Sequence, residues 1–424
     1  MPFTRKQKPL SHDATDILMM TQRKPVRVLY SFPHKLGADR ICYTAWQQVN
    51  GLAAAGADVL VYAGALQREV PPQVKAHTTL ARGKLRIPYK VLGTMRALAL
   101  HDYIVSRKLE KLVGKIDVIH TWPDAALRTL KAAGKLGIPT VLERPNAHTR
   151  YAYESVQREA KRFGVVLPPT NEYAFKEDVL AREEEEYQLT DFLLCASDFT
   201  IKTFVERGIP RAKLLKHTYG FDDKTCYPDF SRVADTNAGL TMMFAGDAAV
   251  RKGVHFALEA WLKSPAHKTG TFLIAGNMLP AYAERMSAML QHPSVKVLGH
   301  RKDVPELMRK SDLFVLSSVE EGFGLVCVEA IGSGCVPLVS EACTDVCQHM
   351  VNSLVHPIGD VDTLAKHITM LYEDRTLLAR MRQECIRVAP TLTWTVAGER
   401  LLGTYEEAIR LKEEIASPGV TRSA

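Results

Sequence analysis

The segment that most constrains the fold is a short apolar strand pattern that passes into a helix pattern through a glycine-rich turn. Residues 311–318 form a run of buried-strand type that ends in two serines, and an apolar helical pattern begins at Leu325. Between them, Gly322 and Gly324 let the backbone turn sharply and approach a ligand. Helix N–H groups are free at such a start and favour anions. The segment therefore predicts an α/β domain with a ligand site at the turn.

Two carboxylates belong to this turn and its helix. Glu321 lies in the turn, and Glu329 follows about two helical turns later. A carboxylate beside a phosphate would be repelled, so hydroxyl groups are the better ligands for both. We therefore predict that Glu321 accepts hydrogen bonds from a sugar and that Glu329 accepts them from a ribose.

The segment resembles the signature of the family 4 glycosyltransferases (glycosyl transferases group 1), which are retaining enzymes with the GT-B fold. The fixed positions of that signature are met by Glu321, Gly322, Phe323, Gly324, Leu325, Glu329, Ala330, Gly334 and Pro337. The resemblance implies an α/β protein of two Rossmann-like domains that face a central cleft. It also assigns the four residues from Gly322 to Leu325 to the donor site, where a nucleotide diphosphate sugar binds.

A second match lies upstream, where a strand pattern over residues 242–245 ends at Gly246 and a helix pattern follows. The resemblance implies that Lys252 is the cation for the donor diphosphate. Family members often carry an arginine directly after the first glycine, but this chain has Asp247 there. Arg251 is expected to replace that arginine. The alternative is that Arg251 and Lys252 are solvated cations at a helix start.

Two further patterns bear on the second half. In the family, groups just after the strand at residues 295–299 hold the nucleobase, so the resemblance places His300 and Arg301 beside the base. Asp360 and Asp362 look like a metal-binding Asp-x-Asp pair. An apolar helical pattern follows them at once, and it predicts a helix N-cap instead.

The first half matches the family more loosely. A strand from residue 26 to 31, a loop that contains Gly37, a helix and a second strand form a βαβ opening. The resemblance implies that Gly37 approaches the donor phosphate. The resemblance leaves two readings of His120, at the end of an apolar strand: it contacts the donor sugar, or it is structural if the matching histidine of the family is the second, whose position is Trp122 here. Arg144 and His148 follow the next strand and are rival cleft residues.

The predicted organisation has five parts. These are an N-terminal tail (1–24), an acceptor-side Rossmann-like domain (25–222), a linker (223–239), a nucleotide-sugar-binding Rossmann-like domain (240–393), and a terminal helix that crosses back to the first domain, plus a tail (394–424).

Charge and hydropathy bear on partners. The net charge of +8 is concentrated in the first half, where basic residues alternate with apolar ones at Lys90, Arg96, Arg107, Lys108, Lys111 and Lys115. This pattern indicates either a solvated helix face or peripheral contact with an anionic membrane and a lipid-linked acceptor. The acidic run at 183–186 is interpreted as a solvated helix face. The chain has no nucleic-acid recognition motif and no run of about 18 apolar residues, so we expect a cytoplasmic protein.

The sequence thus predicts a metal-independent glycosyltransferase of hexosyltransferase type that serves the synthesis of cell-surface polysaccharides or glycoconjugates. Its predicted catalytic residues are Glu321, Lys252 and His120. It needs no cofactor beyond its nucleotide-sugar co-substrate, and its acceptor is a hydroxyl of a glycan, a lipid-linked sugar or a small molecule. The alternative is a GT-B protein that binds nucleotide sugars, or acts as a scaffold, without turnover.

Overall fold

The computed structural model describes residues 24–82, 85–86, 92–231 and 239–416. The predicted tail up to residue 23, the basic position Lys90, residues 232–238 of the predicted linker and residues 417–424 lie outside this part. The described residues form two large parallel sheets with helices packed on them. The predicted α/β class is confirmed.

The first sheet belongs to the first half of the chain. Its strands are β1 (Arg27–Leu36), β2 (Asp58–Leu66), β3 (Lys75–Thr78), β6 (Val118–Thr121), β7 (Thr140–Arg144), β8 (Phe192–Cys195) and β9 (Leu214–Lys216), while β4 (Ala81–Arg82) and β5 (Leu85–Arg86) form a separate antiparallel pair. The seven strands lie in the order β3-β2-β1-β6-β7-β8-β9. The helices of this half are α1 (Ile41–Ala54), α2 (Thr94–Ser106), α3 (Leu127–Leu136), α4 (Thr149–Phe163), α5 (Glu177–Leu189) and α6 (Asp198–Val205), with 3₁₀ helices at Leu109–Leu112 and Arg211–Lys213.

The second sheet has six strands. They are β10 (Thr241–Ala245), β11 (Thr271–Ala275), β12 (Val295–Gly299), β13 (Leu313–Leu316), β14 (Val336–Ser340) and β15 (Leu354–His356), in the order β12-β11-β10-β13-β14-β15. Its helices are α7 (Val254–Lys263), α8 (Pro280–Arg285), α9 (Ser287–Leu290), α10 (Val304–Lys310), α11 (Leu325–Gly332), α12 (Val361–Glu373), α13 (Arg375–Val388) and α14 (Trp394–Ala416), with 3₁₀ helices at Val250–Lys252, Pro265–Lys268 and Ala389–Leu392.

Both sheets are buried on their two faces, which explains their nearly continuous apolar strands. Every residue of β13 and β14 is buried, for example. The strands of each sheet are parallel, so their carboxyl ends meet at one edge, where ligands of doubly wound folds bind. β1 is longer than predicted: it runs through the expected loop to Leu36, because it stays paired with β2 after a register shift between Phe32 and Lys35.

Each half of the chain also packs a helix on the other half. The last helix, α14, lies on α1, and its Leu401, Tyr405 and Ala408 belong to the core of the first sheet. Gly51 of α1 and Gly398 of α14 allow this approach, because a Cβ atom on Gly398 would lie 2.4 Å from the backbone of Gly51. The two helices can therefore pack almost backbone to backbone.

The reverse exchange involves α4. Its residues Ala152 and Val156 pack with Phe256 and Val319 of the second half, and Ala160 joins the core of the second sheet. The apolar stripe of α4 therefore faces the second domain, although the helix lies within the predicted first domain.

Membrane contact was one of the predicted alternatives for the basic segment, which α2 covers in part. In the residues that the structure describes, no helix has both the length and the apolar character that a membrane span requires.

Candidate active site

The glycine turn after β13 lies against the first domain. The carbonyl oxygen of Gly322 accepts hydrogen bonds from the hydroxyls of Ser197 at 2.6 Å and Thr200 at 3.0 Å. The backbone N–H of Ala147 donates to the Glu320 carboxylate at 3.1 Å. Carboxyl-end loops of β7, β8 and β13 thus meet directly at the interface of the two domains.

Only glycine fits at position 322. A Cβ atom there would lie 1.5 Å from the carbonyl oxygen of Pro145. The neighbouring Phe323 is buried against the ring of Tyr219, with centroids 5.3 Å apart. Gly324 has a φ of +75° and precedes the first residue of α11. The turn that the sequence assigns to the donor site is therefore packed against protein.

Glu321 forms ion pairs with two cations in this turn. Its carboxylate contacts the Lys252 ammonium and lies 3.2 Å from Arg251 Nη1, while the Ser318 hydroxyl donates to it at 3.3 Å. Burial alone would raise the pKa of Glu321, but the charges of Arg251 and Lys252 outweigh it and hold that pKa at about 2. Glu321 is therefore ionised at neutral pH, and three of the predicted site residues, Glu321, Lys252 and Arg251, are brought together.

Arg251 lies beside Lys252 and shares its partner Glu321. Besides Glu321, its Nη1 donates to the Glu320 carbonyl at 3.1 Å, and its guanidinium lies 5.2 Å from the centre of the Tyr173 ring. These contacts bury most of the side chain between the second domain and Tyr173 of the first. The alternative of two solvated cations was wrong, because Arg251 and Lys252 are both largely buried. The replacement of the usual arginine by Arg251 stays a prediction.

Asp247, which occupies the position of the family's usual arginine, contacts the first domain. Asp247 Oδ2 forms an ion pair of 2.6 Å with Arg40 Nη2, and both side chains are exposed. Arg40 directly precedes α1 and has a φ of +59°. Gly246 leads into Asp247 from the end of β10 and has a φ of +136°. The acidic side chain in the Gly246 loop is therefore already paired with a cation of the first domain.

A cavity of about 280 Å³ lies between the two domains. Its walls include Tyr43, Arg68, Asp222, Leu325, Glu329 and Trp394. Glu329 is half-buried in this wall, and burial raises its pKa to about 7. Glu329 lies about one helical turn after Leu325, the first residue of α11. Its contact with ribose hydroxyls stays a prediction.

Gly37 lines a neighbouring cavity of about 420 Å³ together with Lys35, Asp39 and Arg68. It has a φ of +82°, and its carbonyl oxygen accepts a hydrogen bond of 2.8 Å from Arg68 Nε. Arg68 thus lines both cavities. Sequence analysis missed it, and the only available signal was its position two residues after the end of β2.

His120 is not exposed to the cleft. It is completely buried, stacks on Tyr30 with ring centroids 4.4 Å apart, and shares a hydrogen bond of 2.7 Å with Tyr405 of α14. Burial lowers its pKa well below the usual value. The predicted catalytic role of His120 is therefore not supported, because its ring contacts the protein core. Trp122 is buried as well and donates to the Tyr30 hydroxyl at 3.0 Å.

Arg144 and His148 are also buried rather than exposed in the cleft. The Arg144 guanidinium lies 4.7 Å from the centre of the Tyr187 ring and 3.4 Å from the Glu183 carboxylate. His148 caps α4 by accepting a hydrogen bond from the N–H of Arg150, and burial, aided by the Arg144 charge, lowers its pKa to about 3. Both side chains are packed in the protein interior, although they were predicted to be cleft residues.

The acidic run on α5 is likewise more buried than predicted. Glu186 is fully buried and accepts hydrogen bonds from the N–H groups of Asp124 and Ala126 at 2.9 and 3.0 Å. Glu183 is buried beside Arg144. The interpretation of this run as a solvated face was wrong for these two residues.

Two predictions concern the remaining strand ends. His300 and Arg301 follow β12 and are exposed, and Arg301 forms a two-pronged ion pair with Asp303 at 2.8 and 2.6 Å. Their contact with the base stays a prediction.

Asp360 accepts a hydrogen bond of 2.9 Å from the N–H of Thr363 at the start of α12, which confirms the predicted N-cap. Across the described ranges, no cluster of three or more His, Cys, Asp or Glu residues is suited to hold a metal ion.

Comparisons with known proteins match both halves of the chain. A model described as Glycosyltransferase Family 4 matches residues 43–215, and one described as Glycosyl transferases group 1 matches residues 239–374. The Anabaena protein HepE, solved in complex with UDP, superposes with a TM-score of 0.63 at 18% identity, covering 90% of this chain and 100% of that one. This likeness confirms the predicted fold.

Two curated relatives align over shorter stretches. The chain is 28% identical over 123 residues to N,N'-diacetylbacillosaminyl-diphospho-undecaprenol alpha-1,3-N-acetylgalactosaminyltransferase of Campylobacter jejuni, which covers 28% of this chain and 33% of the relative. It is 23% identical over 258 residues to mannosylfructose-phosphate synthase of Agrobacterium fabrum, which covers 55% of this chain and 57% of the relative. The chain therefore spans less than two thirds of the length of either relative.

Proposed function

Because the chain belongs to family 4 of the glycosyltransferases with the GT-B fold, we propose that it transfers a hexose-type sugar from a nucleotide diphosphate sugar to a hydroxyl acceptor, with retention. The observation that carries this proposal is the cavity between the domains, with Glu329 in one wall and Leu325 at the start of α11. Glu329 binds the ribose hydroxyls there. The free N–H groups of the helix start face the diphosphate.

Lys252 and Glu321 exchange partners when the donor binds. In the structure they form an ion pair with each other, and both are largely buried. The donor offers a phosphate to the Lys252 ammonium and sugar hydroxyls to the Glu321 carboxylate. Because a carboxylate with a pKa of about 2 stays ionised at neutral pH, Glu321 accepts those hydroxyls as a full negative charge.

The proposed transfer needs no enzyme nucleophile. The bond between the anomeric carbon and the diphosphate oxygen breaks, and its electron pair stays on the diphosphate. The acceptor hydroxyl oxygen forms its bond to the same face of the anomeric carbon, and its proton passes to the departing diphosphate oxygen. Lys252 and the helix start stabilise the charge that develops on the diphosphate, so the proposed reaction is independent of metal.

The acceptor belongs to polysaccharide or glycoconjugate synthesis in this proposal. The Campylobacter relative is named for a lipid-linked diphosphate, and the Agrobacterium relative is named for a sugar phosphate. A lipid-linked acceptor fits peripheral contact with the inner face of the membrane. On α2, the exposed side chains of Met95, Arg96 and Tyr103 support such contact, because they combine apolar groups with a cation.

The test combines binding with turnover. Thermal unfolding is measured with UDP-, GDP-, ADP- and dTDP-sugars for the wild type and for Glu329→Gln, because a ligand of the folded state raises apparent stability. We expect one nucleotide class to stabilise the wild type and to act weakly on the variant. NMR of the product of donor turnover then assigns retention or inversion. Binding without any turnover, with acceptor present, would favour the non-catalytic alternative.

A further inference from the structure

Arg68 joins the two cavities at the domain interface. It follows the end of β2 in the first domain, yet it lines the cavity that contains Leu325 and Glu329 of the second domain. The same cavity receives the start of α11. Any ligand whose charged part lies at that helix start therefore lies in the cavity that Arg68 lines.

The Arg68 guanidinium is held in place by neutral groups. Its Nε donates to the Gly37 carbonyl at 2.8 Å, and its Cζ lies 5.2 and 5.4 Å from the ring centres of Tyr43 and Trp46. These contacts use one of its N–H groups and the faces of two rings. The side chain is exposed, so the two terminal nitrogens are open to a ligand.

The other cations near the turn already have carboxylate partners. Arg251 and Lys252 contact Glu321, and Arg40 is paired with Asp247. Within the described residues, no ion pair joins Arg68 to a carboxylate. A donor diphosphate would therefore meet one guanidinium that is pre-oriented and not already paired with a carboxylate.

We infer that Arg68 binds the diphosphate of the donor from the first domain. This inference rests on the proposed function and assigns a ligand to that same site. The planar fork of an arginine suits two phosphate oxygens at once. Since Arg68 and Glu329 come from different domains, the donor site is complete only when the two domains are together, and the departing diphosphate is held from both sides.

The experiment compares a nucleoside diphosphate with its nucleoside. Calorimetric titrations with UDP and with uridine are made for the wild type, Arg68→Gln and Arg68→Lys, followed by the other bases if UDP does not bind. Arg107→Gln, an exposed arginine after α2, is the matched control. We expect Arg68→Gln to weaken UDP binding about 10- to 100-fold and to leave uridine binding unchanged, because only the diphosphate loses a charged hydrogen bond. Arg68→Lys should fall between the two.

Each contrary outcome has a distinct meaning. Unchanged UDP affinity in Arg68→Gln, or equal loss for UDP and uridine, overturns the role of Arg68. If Glu329→Gln weakens nucleotide binding while Arg68→Gln does not, the proposed function stands without this inference. If the folded wild type binds none of UDP, GDP, ADP and dTDP, both fail. Circular dichroism checks the fold of each variant, and Arg68→Lys retains the charge if Arg68→Gln is unstable.

Discussion

We expect Glu329→Gln to stabilise the empty protein at pH 8 while it weakens nucleotide binding. Burial raises the pKa of this carboxyl group from 4.5 to about 7. The folded chain therefore keeps a proton that the unfolded chain releases between these two pH values. The free energy of unfolding falls as pH rises through this window and levels off above pH 7.

The magnitude follows from the two pKa values. The interval from 4.5 to about 7 corresponds to about 3 kcal/mol at 1.36 kcal/mol per pH unit. Glu329 is only half-buried and lines a cavity, so we take about half of this value, ~1–2 kcal/mol, to allow for water around the carboxylate. The glutamine variant should gain this much at pH 8 and almost nothing at pH 4.5. It should bind the nucleotide about 10-fold more weakly, because an amide accepts fewer hydrogen bonds from two ribose hydroxyls.

Denaturant unfolding at pH 4.5 and pH 8 measures the stability difference, and calorimetry measures nucleotide affinity. Glu407→Gln, on the exposed face of α14, is the matched control for removal of one negative charge. A variant that is less stable than the wild type at pH 8 would refute the reasoning, since the carboxylate would then have a favourable partner in the empty protein. A stability gain that does not change with pH would refute it as well.

Three further changes test the interface and the buried pairs. Gly322→Ala puts a methyl group into the backbone of the first domain, so we expect a larger radius of gyration in X-ray scattering and loss of transfer; unchanged scattering would contradict the close contact. Lys252→Met should lower turnover at least about 100-fold. It should also lower the free energy of unfolding at pH 7, because the pKa of Glu321 is no longer held as low. This loss should shrink as pH falls from 4.5 toward 2. A loss that does not depend on pH would exclude the lost charge on Lys252 as its cause. Tyr405→Phe should lower the free energy of unfolding by about 1–2 kcal/mol and leave kcat unchanged, whereas a large loss of kcat would return His120 to the catalytic set.

The features that sequence analysis predicted correctly are local in the chain. The alternation of strands and helices, the helix after the glycine turn and the Asp360 cap each depend on residues a few positions apart. Lys252 and Glu321 were assigned to one site by the family resemblance. The structure brings them together because each follows the carboxyl end of a parallel strand, and neighbouring strand ends meet at one edge of a sheet.

The features that it missed depend on distant partners. The N–H groups that Glu186 binds precede it by 62 and 60 positions, so nothing near the acidic run indicates burial. His120 finds its partner 285 positions later, in Tyr405. Arg68 and Glu329 meet only through the packing of two domains, which no local pattern contains.

The crossing of the last helix sets the order in which the protein can be made. Leu401, Tyr405 and Ala408 complete the core of the first sheet, so the first half of the chain leaves the ribosome with part of its core missing. An apolar strip on α1 stays in water until α14 emerges. Such a strip is a binding surface for chaperones and a site of aggregation. Folding of both domains is therefore completed only after α14 has been made, and a chain that stops before Trp394 lacks part of the core of its first domain as well as the helix.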